Sequence, residues 1–280
     1  MRIAFVFPGQ GSQSVGMLSG FAGNETVAGV MARADEALGF SLTGLIAEGP
    51  AETLSLTVNT QPAMLASSVA FYEAWLAAGG RTPEMMAGHS LGEYSALCAA
   101  GAMSLETAVR LVRFRAEAMQ SAVPVGVGGM AAVIGLADDD VEAAVARAIE
   151  CAKALGCRRA IELPVSAPFH SSLMQPAADK LAARLVETEI QVPAIPVIAN
   201  IDVEVHETPD AIREALARQA AGAVQWVRTI ERMKAAGITD IVECGPGKVL
   251  TGLLRRTAPE INGHNIFDAA SLAAVLEKLN

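Results

Sequence analysis

Short apolar runs of about strand length recur along the chain, separated by longer stretches whose apolar positions fall at helical spacing. Ile3–Phe7 (IAFVF) is the first run, and it predicts a buried strand ended by Pro8, followed by the loop GQGSQ. Helical spacing predicts helices over Glu25–Leu38, over Gln61–Ala78 with Gly79 and Gly80 as stop signals, and over Leu105–Ser121. Met85–His89 reads as a strand that gives way at Ser90 to a helix running to about Ala100. Further strands are expected at Met130–Leu136, Arg158–Val165, Pro196–Asn200 and Ile238–Glu243, with an alanine-rich helix over Asp138–Leu155 and helices filling the rest. Strands that alternate with helices imply an α/β fold whose mostly parallel sheet is covered on both faces. The glycine run Gly126, Gly128, Gly129 and the loop Ser166–Pro168 bracket a candidate insertion. Residues 1–126 and 167–280 would then form a large domain, and 127–166 a small one inserted in it.

Composition narrows the function. The 280 residues are enough for one large domain carrying a smaller one, and 52% apolar with only 4% aromatic residues points to a core of Ala, Val, Leu, Ile and Met. No stretch reaches the roughly 20 apolar residues of a membrane span, and no basic leader precedes the first strand, so a cytoplasmic location without membrane attachment is expected. A formal net charge of −9 argues against nucleic acid. Cys98, Cys151, Cys157 and Cys244 show neither CxxC spacing nor a histidine at metal-ligand spacing, which predicts reduced thiols and no metal. No helix face is left long, apolar and unpartnered, so a monomer is expected.

The chemistry concentrates at Gly88-His89-Ser90-Leu91-Gly92, a G-x-S-x-G sequence placed where a strand turns into a helix. Glycines there permit a sharp turn that lifts the Ser90 hydroxyl to the carboxyl edge of the sheet, and the next helix aims its first amides at the same place. A serine needs a base, and the chain has four histidines. His89 should point to the opposite side of the elbow and pack there. His170, in a loop directly after a predicted strand, is the leading candidate, with His206 and His264 in polar loops behind it.

Five blocks, FVFPGQGSQ at the start, NTQPAM at 59–64, AGHSLGEYSAL at 87–97, VSAPFHS at 165–171 and GPGKVLTGL at 245–253, resemble the malonyl-CoA:acyl carrier protein transacylase family, in the family's order and over nearly the whole chain. The resemblance implies an α/β-hydrolase-like core with a small ferredoxin-like subdomain, and ping-pong transfer of malonyl from malonyl-CoA to acyl carrier protein through an acyl-serine, with no cofactor. It implies Ser90 as nucleophile and His170 as base, held by backbone carbonyls, so that Glu106, Glu117 and Glu162 need no triad role. It implies that the Gln10 and Leu91 amides form the oxyanion hole, and that Arg115 grips the malonyl carboxylate beside Gln61. A planar guanidinium suits that carboxylate independently of any family, and Arg110 and Arg113 are expected on the surface. For the acidic carrier protein, Arg158, Arg159, Lys180 and Lys248 are candidate docking residues.

One departure stands out. Between the strands at 130–136 and 158–165 the family pattern has a full ferredoxin-like unit, whereas this chain has room for one helix, with a join near Glu150-Cys151. A straight helix would deliver the chain to the wrong end for antiparallel pairing, so either a helix broken near Glu150-Cys151 that doubles back, or a further segment of the molecule between these two residues, is expected. A serine hydrolase such as a thioesterase on the same elbow, or a non-catalytic relative that only binds carrier protein, are the competing readings.

Overall fold

The computed structural model describes residues 1–124, 129–134, 159–162 and 167–280. Five parallel strands build the main sheet in the order β5 (Val197–Ile198), β2 (Met85–Gly88), β1 (Ile3–Phe7), β6 (Asp240–Cys244), β7 (Asn262–Ile266). Alternation along β1 explains the two layers around it. Ile3, Phe5 and Phe7 point into a large core with helices α1 (Glu25–Leu38), α4 (Thr57–Ala77), α5 (Gly92–Ala99) and α6 (Leu105–Gln120). Ala4 and Val6 face a smaller core that includes Trp226, Ile230 and Met233, and Leu250 and Leu254. An unbroken apolar strand is therefore what its central position demands.

The helix ends follow from local chemistry. Asn24 caps α1 by accepting from the Val27 amide (3.0 Å), and Gly39 ends it in the left-handed region at φ 73°. Ser104 caps α6 at the Thr107 amide (3.1 Å). Two short helices, α2 (Leu42–Glu48) and α3 (Ala51–Leu54), lead into α4, which starts at Thr57, one turn before the predicted Gln61. The expectation put Pro62 in the first turn, where proline is tolerated. Instead Pro62 lies inside a helix buried along nearly its whole length, where packing outweighs the missing hydrogen bond.

After α6 in the chain, β3 (Ala131–Ile134) and β4 (Arg159–Glu162) pair antiparallel in a separate two-stranded sheet. The helix expected over 138–155 and the join at 150–151 lie outside the described residues. The chain continues through α7 (Gln175–Val186), α8 (Pro209–Ala221), α9 (Trp226–Ala235), α10 (Val249–Thr257) and α11 (Ala269–Leu279). β7 escaped the sequence reading, which expected only helices beyond β6. Its sequence NGHNI is polar and half exposed at the sheet edge, so no apolar run marks it. No helix among the described residues is long and apolar enough to cross a membrane. Cys98 and Cys244 are free thiols, with Cys98 pushed up to about 12 by burial, whereas Cys151 and Cys157 lie outside the described residues.

Glu243, the last inward residue but one of β6, ties the far half of the sheet together. Its carboxylate accepts from the Leu250 amide (3.0 Å), the Thr251 amide (2.7 Å) and hydroxyl (2.6 Å), and the Asn265 amide of β7 (3.0 Å). It thus neutralises the start of α10 and fastens β7 to it. Glu243→Ala should lower stability by about 3 kcal/mol or more, because several buried donors lose their acceptor together. The midpoint of urea unfolding reads this; a midpoint unchanged from wild type would mean that water replaces the carboxylate at no cost.

Candidate active site

All five strands of the main sheet run the same way, so their carboxyl ends share one edge, the usual place for a site in such a sheet. Phe7 of β1 lies opposite Gly88 of β2, and the His89 amide donates to Phe7 O (2.9 Å), which brings the loop after Pro8 against the elbow after Gly88. The approach is too close for side chains. A Cβ on Gly92 would lie 2.0 Å from Phe7 O, and one on Gly9 would lie 2.6 Å from His89 O. Gln10 and Leu91 follow directly on these two loops. The Gln10 side chain donates to Thr57 Oγ1 at the start of α4 (3.2 Å), and the Leu91 side chain is buried.

Ser90 occupies the tip of the turn in the left-handed region, at φ 53°. For a residue with a side chain this conformation costs on the order of 1–3 kcal/mol and must be held by its surroundings. His170 is held likewise at φ 59°. The Ser90 Oγ and His170 Nε2 atoms are 2.6 Å apart. On the other side of the ring, Nδ1 is 3.0 Å from Gln219 O and 3.2 Å from Gly222 O, at the C-terminal end of α8. Carbonyls only accept, so Nδ1 carries the proton and Nε2 turns its lone pair to the serine hydroxyl. Burial, then the charge of Arg115, pushes His170 down to about 4, which leaves the ring neutral near pH 7.

Arg115 reaches the site from α6 and is 1% exposed. Its Nη1 donates to Gln61 Oε1 (2.9 Å), and its Nη2 donates to Ser90 Oγ (3.1 Å) and to Gln219 Oε1 (3.0 Å). The guanidinium stands 5.3 Å from the Tyr94 ring centroid, and its Nε has no hydrogen-bond partner among the described residues. Burial pulls its pKa below the usual arginine value, yet arginine stays charged. A fully buried cation within hydrogen-bond distance of a serine hydroxyl, whose other hydrogen-bond acceptors are neutral amides, can take an anion close to that hydroxyl.

Three further residues complete the arrangement, and none was singled out from the sequence. Asn200, just past the end of β5, accepts from the Ser90 amide (2.7 Å) and donates to Gly88 O (2.7 Å). The Gln219 amide nitrogen donates to Ser90 O (2.9 Å) and to Glu93 Oε2 (2.8 Å), which also accepts from the Asn200 amide (2.9 Å). Burial drives the Glu93 carboxyl up to about 7, against the lowering effect of these donors and of Arg115. Gln219 had a legible signal: it follows Ile212, Ala215 and Leu216 at helical spacing, so a polar residue sits in the apolar stripe of α8. Asn200 and Glu93 carry no such mark.

The other candidates lie elsewhere. His89 packs edge-on against Trp226, with ring centroids 5.4 Å apart. His206 pairs with Asp202 (3.3 Å), and His264, on β7, pairs with Asp240 (2.9 Å). Glu106 pairs with Arg33 (2.8 Å) and Glu117 with Arg113 (3.3 Å), both on the surface, while Arg110 donates to Ala37 O (2.9 Å). Lys180 donates to Ser121 Oγ (3.2 Å), and Lys248 stands 4.5 Å from the Phe267 ring centroid. Arg158 and the side chains of Arg159 and Glu162 lie outside the described residues. Among the described residues no cluster of His, Cys, Asp or Glu could hold a metal ion.

The comparisons with known proteins agree in one direction. Residues 4–146 match the family model for the acyl transferase domain. The malonyl CoA-acyl carrier protein transacylase of Escherichia coli K12 is 45% identical over 306 aligned positions, covering 99% of each chain, and that of Bacillus subtilis is 40% identical over 99% of this chain and 97% of its own. The alignment with the former is longer than this chain's 280 residues, so that relative carries segments absent here. An acyl-carrier-protein S-malonyltransferase from Burkholderia pseudomallei superposes with a TM-score of 0.96 at 50% identity, over 99% of this chain and all of its own. A malonyl-transacylase solved in complex with its type II polyketide acyl-carrier protein gives a TM-score of 0.96 at 41% identity, with the same coverage. With this sequence similarity along its full length and this fold around the elbow, the chain belongs to the malonyl CoA-acyl carrier protein transacylase family.

Proposed function

We propose that this chain transfers malonyl from malonyl-CoA to the phosphopantetheine thiol of acyl carrier protein in fatty acid synthesis, through a malonyl ester on Ser90. The observation that carries the reading is Arg115, a buried guanidinium 3.1 Å from the Ser90 hydroxyl. A three-carbon diacid esterified at that oxygen would place its free carboxylate only a few ångströms away, where a planar fork of donors can take it. Acetyl would leave the buried cation with neutral partners alone, which is a reason for the site to discriminate against it.

The residues supply each step. His170 Nε2 takes the Ser90 proton as Oγ attacks the thioester carbon, while Nδ1–H stays on the Gln219 and Gly222 carbonyls. The oxygen that gains charge would be met by the amides of Gln10 and Leu91, each such donor being worth roughly 3 kcal/mol. Collapse expels the coenzyme A thiolate, which takes the proton from Nε2. The carrier-protein thiol then repeats the sequence in reverse, losing its proton to Nε2 and leaving as malonyl thioester. A helix C-terminus replaces the usual carboxylate behind the imidazole, since its last carbonyls point at Nδ1 with the negative end of the dipole. Because the Arg115 charge is the second cause holding His170 down, a malonyl carboxylate docked on Arg115 offsets part of it, and an acetyl donor does not.

Ser90→Ala should fold and take up no label from radiolabelled malonyl-CoA; retained label would remove Ser90 from the mechanism. In the wild type, a stable malonyl-enzyme that passes its label to carrier protein supports transfer, whereas prompt release of malonate would make the chain a hydrolase.

His170→Ala should slow acylation about 10²–10⁴-fold. The reaction needs the neutral imidazole, so kcat/KM in wild type should hold steady as pH falls through 6 and drop only as it approaches about 4. An acid limb centred near the ordinary histidine value of about 6.5 would contradict the buried, neutral ring.

Arg115→Ala should reduce kcat/KM for malonyl-CoA far more than for acetyl-CoA, by about 100-fold in the ratio, on the scale of a lost charge-assisted contact. Steady-state kinetics with both donors measures it, and an unmoved ratio would make Arg115 structural.

A further inference from the structure

Ser90 presents its hydroxyl only because its own peptide groups are held in a conformation they would not choose, and both are held from outside the turn. The amide donates to Asn200 Oδ1 (2.7 Å), and the carbonyl accepts from Gln219 Nε2 (2.9 Å) as well as from the Glu93 amide one turn on (3.1 Å). Asn200 and Gln219 come from different parts of the fold, the chain just past β5 and helix α8 respectively, and beside a long direct contact (3.5 Å) one atom joins them. Glu93 Oε2 accepts from the Asn200 amide and from Gln219 Nε2. Glu93 is 2% exposed, and the transfer chemistry above gives it no role.

The Ser90 carbonyl only accepts and the Arg115 guanidinium only donates, and together they settle how Gln219 is oriented. Its nitrogen must face Glu93 and Ser90 O, so its oxygen faces Arg115. The opposite orientation would set oxygen against carboxylate and nitrogen against guanidinium. We propose that Glu93 is a positioning residue for the nucleophile, acting through Asn200 and Gln219 to fix both peptide groups of Ser90. The assignment rests on Ser90 being the nucleophile, and it concerns where the hydroxyl is held rather than which acyl group is bound.

Two substitutions separate geometry from charge. Glu93→Gln keeps an acceptor oxygen at the same reach, whereas Glu93→Asp keeps the charge and withdraws it by about 1.5 Å. Labelling of Ser90 by a fluorophosphonate reads nucleophile placement without any acyl donor, and kcat and KM for malonyl-CoA are measured beside it. E93Q should stay within about 3-fold of wild type in labelling rate, while E93D should lose about 10- to 100-fold in labelling and in kcat with KM for malonyl-CoA little changed. Labelling of E93D at the wild-type rate overturns the proposal. So does E93Q as slow as E93D, since charge would then be what the site needs, and so does a change confined to KM. Should E93D fail to fold, Asn200→Ala removes the Ser90 amide's acceptor with Glu93 in place; the same loss of labelling supports the clamp, and an unchanged rate overturns it. A wild-type protein that reacts with the fluorophosphonate but accepts no malonyl would count against malonyl transfer and leave the clamp standing.

Discussion

Two ionisable groups, the Glu93 carboxyl and the Arg115 guanidinium, are buried on either side of one neutral amide, and the site is arranged around that fact. They do not touch. Gln219 stands between them, its oxygen on the guanidinium and its nitrogen on the carboxylate. Burying either charge alone would cost several kcal/mol, so the pair is tolerated only while each donor and acceptor around it is matched. Those matches are the same hydrogen bonds that hold Ser90: the Gln219 nitrogen also donates to Ser90 O, and its backbone carbonyl accepts from His170 Nδ1. One residue of α8 therefore meets His170, Ser90 and both ionisable groups. A shift of α8 would disturb all four together.

Behind the Ser90–His170 pair stand two backbone carbonyls rather than a third acid. In a Ser-His-Asp arrangement the carboxylate orients the ring and compensates the imidazolium. Here orientation comes from two carbonyls that accept from Nδ1, and compensation only from the end of a helix dipole. Two neutral carbonyls favour the protonated ring less than burial and the Arg115 charge oppose it, and the ring is held down to about 4. A weaker base suits attack on a thioester with a thiol leaving group, because the protonated ring returns its proton readily to the departing thiolate.

Much of this was legible in the sequence, for physical reasons that differ by element. The central strands β1 and β2 are buried on both faces, so their apolar runs mark them, and the glycines of the elbow are forced by backbone contacts no side chain permits. Edge strand β7 needs no such run and left no trace. The apolar period predicts α4 from Gln61, whereas it starts at Thr57, and the burial that holds Pro62 mid-helix is a tertiary matter. Ser90 and His170 announced themselves through motif and placement. Asn200 and Glu93 did not, since their importance lies in which distant amides they meet, and a buried glutamate five residues past the start of G-x-S-x-G looks like any other helical glutamate.

The neutrality of Arg115's neighbours bears on specificity. A carboxylate beside the guanidinium would satisfy it and close the site to an anionic acyl group; instead its hydrogen-bond partners among the described residues are Gln61, Gln219 and the Ser90 hydroxyl, and the buried Glu93 carboxyl is held one amide away. That distance lets Glu93 make the cation tolerable in the folded protein without occupying the place an incoming carboxylate would take. The Ser90 hydroxyl is itself among the cation's partners. When Ser90 becomes an ester, its oxygen is a poorer acceptor, so the guanidinium loses part of its satisfaction at the step that would deliver a malonyl carboxylate to restore it. Acylation by an uncharged group would take that acceptor away and return nothing, so the preference for a diacid would be strongest in the acyl-enzyme rather than in the first encounter with the donor.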